Sequence, residues 1–123
     1  MSTAPVNESI HYLEFHAKDF AKTKSFFIAV FDWRFVDYGS EYMAFSGSGM
    51  EGGFFKSPLT SNADLGSALV IFYSNNLEAT CAKVEQAGGH INKAIFQFPG
   101  GRRFHFQDPN GNEFAVWSEQ DAT

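Results

Sequence analysis

The sequence predicts an α+β fold of two tandem βαβββ modules, whose curved mixed sheets enclose a central cleft and carry their helices on the outside. Three observations lead there. The same order of elements occurs twice, on either side of one polar, turn-rich stretch. Each half opens on a strand that runs into a capped amphipathic helix. The second half closes on a hairpin whose turn, Asp108-Pro109-Asn110-Gly111, presets φ at the proline and tolerates positive φ at the next two residues.

Residues Ile10 to Ala17 alternate, with Leu13 and Phe15 on one face and Tyr12, Glu14 and His16 on the other, as in a half-buried strand. Asp19 is a good N-cap for a helix from Phe20 to Phe31, striped by Phe20, Phe26, Phe27, Val30 and Phe31. Asp32 ends it, since aspartate enters the left-handed region more readily than most residues. Strands follow at Trp33–Tyr38 and Glu41–Ser46. A glycine run from Gly47 to Gly53 then leads to a short strand at Phe54–Lys56. The run contains G-x-G-x-x-G, but a β-like Phe-Phe-Lys and then Pro58 follow it. No helix N-terminus is there to meet a pyrophosphate, and a loop or bulge in a curved sheet explains it better.

Ser57 to Gly66 reads as a linker, and the pattern then restarts. Ser67–Ser74 is an apolar strand, Asn76 caps a helix from Leu77 that ends at Gly88-Gly89, and His90–Phe98 is a strand. In the closing hairpin, Phe104, Phe106, Phe114 and Val116 share one face. Arg103, His105, Gln107, Glu113, Ala115 and Trp117 share the other. The expected organisation is one domain over residues 1–123, with module one near 10–56, the linker near 57–66 and module two near 67–118.

Composition narrows the partners. Fifteen phenylalanines supply ample core material. The formal net charge is −5 and no basic run occurs, which argues against nucleic acid. No apolar run approaches the length of a membrane span, and the first nine residues lack a charged start followed by an apolar segment. Cys81 is the only cysteine, so an intrachain disulfide is impossible and a cytoplasmic location is the default.

Three stretches together resemble the vicinal oxygen chelate superfamily of glyoxalase I, extradiol dioxygenases, fosfomycin-resistance enzymes and bleomycin-resistance proteins. They are His11–Phe20 leading to Lys24–Phe27 and Phe31–Trp33, then Leu77–Gly89, then Asp108–Glu113. The chain looks most like the members loosely described as lactoylglutathione-lyase-related, most of which lack an assigned reaction. The resemblance implies paired βαβββ modules, a homodimer and a small-molecule ligand. It also places the family's three metal ligands, which fall here on Tyr12, Leu69 and Ala115. Leucine and alanine have no donor atom and tyrosine is a poor one, so neither the family metal nor another cofactor is expected.

The cleft-side residues are then Glu14 and His105 as a candidate acid/base pair, with Tyr12, His16, Tyr73, Arg103, Gln107, Glu113 and Trp117 as substrate contacts. Arg103 would hold a carboxylate or enolate oxygen, and the chemistry would be isomerisation, epimerisation or elimination next to a carbonyl. Other readings compete with this one. Glu14, Arg103 and His105 could merely satisfy one another, Glu14, His16 and His105 could hold a metal of their own, or the cleft could sequester a ligand without turnover.

Overall fold

The computed structural model describes residues 4–119 and has the two expected modules. Module one runs β1 (Tyr12–Ala17), α1 (Phe20–Phe31), β2 (Arg34–Asp37), β3 (Tyr42–Ser46) and β4 (Glu51–Lys56). Module two runs β5 (Val70–Tyr73), α2 (Leu77–Gln86), β6 (His90–Phe98), β7 (Gly101–Gln107) and β8 (Glu113–Glu119). A single 3₁₀ turn, Ala63–Leu65, interrupts the connection between them. The modules form separate four-stranded sheets of the same topology, β1-β4-β3-β2 and β5-β8-β7-β6. In each, the first and last strands of the module pair in parallel and the other pairs are antiparallel.

The helix ends obey the expected local chemistry. Asp19 accepts a hydrogen bond from the Lys22 amide at 3.0 Å, and Asp32 takes φ 58°, ψ 38° while its own amide closes on the Ile28 carbonyl. Asn76 caps α2 through the Ala79 amide, and Gly88 adopts φ 98° just beyond the helix.

The glycine run behaves differently from its expected loop. Gly47 and Gly49 do make a hairpin turn at positive φ, but β4 begins at Glu51 and carries Gly52 and Gly53 inside the strand. A Cβ at Gly52 would collide with the Leu13 carbonyl and the Phe45 ring, and one at Gly53 with the Tyr42 phenol. Close approach of neighbouring groups, rather than a bend, is why these two positions are glycine.

The core is largely aromatic. Phe26, Phe27, Phe54, Phe104, Phe106 and Phe114 are fully buried, and each contributes roughly 1.5–3 kcal/mol. Trp33 stacks between Phe27 and Phe45 at 4.3 and 4.2 Å, Phe31 stacks on Phe72 at 4.2 Å, and Phe15 meets Phe114 at 5.2 Å. Residues of both sheets therefore face one shared core. Their polar faces consequently point outward, so a cleft between the two is not closed within a single chain.

The Asp-Pro-Asn-Gly turn fastens the modules together. Asn110 Oδ1 accepts from the Lys18 and Asp19 amides at 3.0 and 3.2 Å, and its Nδ2 donates to Thr23. Asn112 Nδ2 donates to the His16 carbonyl at 2.7 Å, and its Oδ1 accepts from the Ser61 amide at 2.9 Å. Asp108 accepts from the Asn110 and Asn112 amides. Burial nevertheless holds its carboxyl above the usual range.

Candidate functional site

The polar face of the second sheet is a cross-linked array. Register places Arg103, Trp117 and Tyr73 in one row across β7, β8 and β5, with His105, Ala115 and Ile71 in the next. His105 and Glu113 are buried, 4 % and 7 % exposed, and their side chains meet at 2.9 Å. Arg103 donates from Nε and Nη2 to His105 Nε2 at 3.2 and 2.9 Å. A guanidinium has only donors, so Nε2 is the acceptor, Nδ1 carries the proton, and that proton goes to Glu113. His105 is thus a neutral imidazole with both nitrogens engaged.

Glu113 also accepts from the Ala63 amide at 2.9 Å and from Asn92 Nδ2 at 3.4 Å. Burial works to raise its carboxyl, but the hydrogen bonds from His105, the Ala63 amide and Asn92 outweigh it and hold it below the usual range. The connection between the modules is therefore part of this face. Glu113 and Asn112 bind residues 61 and 63, and Gln107 Nε2 donates to Asn62 Oδ1 at 3.3 Å. Arg103 lies against the rings of Phe96 and Phe98, 5.8 and 5.7 Å from their centroids. Among the described residues its Nη1 has no partner. Trp117 packs edge-on against Tyr73 at 5.2 Å, and Tyr73 donates to Glu119.

The polar face of the first sheet is more open. Glu14 is exposed and accepts from the Tyr42 hydroxyl at 3.0 Å, and the Tyr12 and Tyr42 hydroxyls are 2.6 Å apart. His16 stands apart at the end of β1, bonded to Ser57 Oγ at 3.1 Å and edge-on to Phe55. Within the chain Glu14 and His105 occupy different sheets and bond to different partners, because both sheets bury their other faces in the common core.

The family's metal does not fit this donor set. Leu69 and Ala115 have no donor atom, Ala115 is fully buried, and the Tyr12 hydroxyl is committed to Tyr42. Glu14, His16 and His105 are not gathered either, and among the described residues no three His, Cys, Asp or Glu side chains come together.

Sequence reasoning missed Tyr42, Asn92 and the Ala63 amide. Tyr42 was within reach, since alternation along β3 puts it on the face opposite buried Met43. The Ala63 amide carried no sequence signal, because its role arises only when the connection folds onto β8.

This geometry, two four-stranded sheets of one topology on a shared core, defines a class of two-module α+β proteins. The sequence pattern of the Glyoxalase/Bleomycin resistance protein/Dioxygenase superfamily matches residues 9–116, and the chain belongs to that superfamily. It matches no curated protein sequence. Among solved structures it is similar to the fosfomycin resistance protein FosX from Listeria monocytogenes, with a TM-score of 0.76 at 16 % identity over 94 % of this chain and 97 % of that one. A glyoxalase-related enzyme from Fulvimarina pelagi superposes with a TM-score of 0.71 at 17 % identity, over 91 % of this chain and 88 % of that one. Lactoylglutathione lyase from Agrobacterium tumefaciens gives 0.68 at 18 % identity, over 92 % and 95 %. At these identities the likeness shows the fold.

Proposed function

We propose that this protein binds a small organic anion through Arg103. One observation carries the reading: a guanidinium held by His105, which is itself held by Glu113, with an uncommitted Nη1 edge between aromatic walls. A fixed fork with a free edge suits a carboxylate or enolate oxygen and loses little entropy on binding. Trp117 and Tyr73 supply the walls of the subsite, and Gln107 stands at its edge.

The site is completed by a second copy of the chain, in a cytoplasmic homodimer. The outward polar faces also expose apolar side chains, Val36 at 56 % on the first sheet and Ile71 and Phe96 at 43 % and 39 % on the second. One face presents the Glu14 carboxylate and the other the Arg103 cation, so the two are complementary when faces from different copies meet. Turnover then takes the form of proton transfer next to a carbonyl, with Glu14 as the base and no metal. His105 positions Arg103 rather than moving a proton, since neither of its ring nitrogens is free.

Thermal-shift measurements with pyruvate, glutathione conjugates and cationic glycopeptides test the binding reading. Pyruvate or the conjugates raise the melting temperature of the wild type and leave Arg103→Gln unmoved, whereas a response to the cationic glycopeptides alone sinks it. Exchange of the pyruvate methyl protons in D₂O, absent in Glu14→Gln, tests the proton transfer. A second reading, sequestration without turnover, is favoured by the engagement of both His105 nitrogens. Carboxylate binding without exchange would decide for it.

A further inference from the structure

We infer that Tyr42, on the central strand β3, is the positioning residue for Glu14 and holds one carboxylate oxygen so that the other faces the ligand. The inference rests on the assignment of Glu14 as the base. Its basis is the direction of a hydrogen-bond chain. The single Tyr42 hydroxyl proton is donated to Glu14 Oε2, so the Tyr12 hydroxyl must be the donor in the 2.6 Å contact with Tyr42. The order is therefore Tyr12 to Tyr42 to Glu14, two phenols in series ending on a carboxylate, and each bond polarises the next. Among the described residues Glu14 Oε1 has no partner.

The sheet is shaped for this arrangement. Register sets Glu14 opposite Gly53 on β4, and Gly53 opposite Ala44 on β3. The Tyr42 phenol lies across Gly53, where any Cβ would overlap its hydroxyl and approach the Met43 carbonyl at 2.9 Å. Glycine there opens a path from β3 over β4 to β1, and Ala44 beside it keeps the neighbouring position small. Burial, followed by the hydrogen bonds with Tyr12 and Glu14 and the Glu14 charge, keeps the Tyr42 phenol protonated well above the usual tyrosine range. Tyr42 thus remains a donor, not a base. In the proposed step the substrate C–H bond breaks, its proton bonds to Glu14 Oε1, and the electron pair moves onto the carbonyl oxygen as an enolate. Tyr42 keeps its own proton throughout.

Two measurements separate this inference from the functional proposal. Tetranitromethane attacks the phenolate, so peptide mapping reads the Glu14–Tyr42 tie without any ligand. Across pH 7–9, Tyr42 of the wild type nitrates at least fivefold more slowly than exposed Tyr38, and Glu14→Gln narrows that gap without closing it, since burial and the Tyr12 bond remain; Tyr42 rates that are equal in wild type and Glu14→Gln overturn the inference. In the pyruvate exchange assay, Tyr42→Phe and Gly53→Ala each lower kcat at least tenfold with KM within twofold. If Glu14→Gln abolishes exchange and Tyr42→Phe matches the wild type, the inference falls while the functional proposal stands. If the wild type exchanges nothing, the catalytic reading falls, and the nitration rates alone decide whether Tyr42 holds Glu14.

Discussion

The two sheets share one topology and carry opposite kinds of polar face. On the second, His105 and Glu113 are buried, the glutamate accepts from three residues, and the connection between the modules is pinned over it. On the first, Glu14 is exposed and Tyr12 is 40 % exposed, and their chain runs only through Tyr42. Water can replace a lost partner on the first face but is kept from the His105–Glu113 pair on the second. Equivalent strands can therefore carry a buried, cross-linked array and an accessible carboxylate in the same small domain.

The contrast can be broken most directly at Glu113. Glu113→Ala strands two neutral donors, the His105 Nδ1 proton and the Ala63 amide, in a buried place and should cost about 3–4 kcal/mol in urea unfolding. A loss below about 1 kcal/mol would mean that the second face is as forgiving as the first. Asn112→Ala removes the links to His16 and Ser61 and should cost about 2–3 kcal/mol by the same measurement.

Acid sharpens the comparison. The Glu113 carboxyl lies below its ordinary value of 4.5 in the folded chain, so its stabilisation is complete above that pH and is lost as pH falls through the lower folded value. Glu113→Gln should cost about 2 kcal/mol at neutral pH, and the gap to wild type should narrow only below pH 4.5. Asp108 acts in the opposite sense. Its raised carboxyl favours the fold below 3.8, and that contribution fades as pH rises through the folded value. A wild-type gap to Glu113→Gln that is flat from pH 7 to 3 would remove Glu113 from the acid response. The smallest effect belongs to the open face. Tyr12→Phe should cost about 0.5–1 kcal/mol in chemical unfolding, because water takes over the lost bond; a loss of several kcal/mol would show the first face to be as closed as the second.

The sequence by itself determined the elements and the faces. The Asp19 and Asn76 caps, the left-handed Asp32 and the alternation through Tyr12–His16 and Arg103–Gln107 are local properties of the backbone and of side-chain parity. The absent metal donors at Leu69 and Ala115 were equally legible once the family spacing was applied. Only the tertiary structure decided how the faces are furnished. Tyr42 reaches Glu14 because Gly53 on the intervening strand leaves room, and that depends on a register between strands distant in sequence. Asn110 and Asn112 looked like turn residues, yet their side chains join residues about ninety positions apart. Glu113 holds His105 and the Ala63 amide, partners that only the fold brings to it. Parity along one strand says which side a residue faces. Its partner is set by how non-adjacent strands and loops pack over that side, and those contacts are long-range.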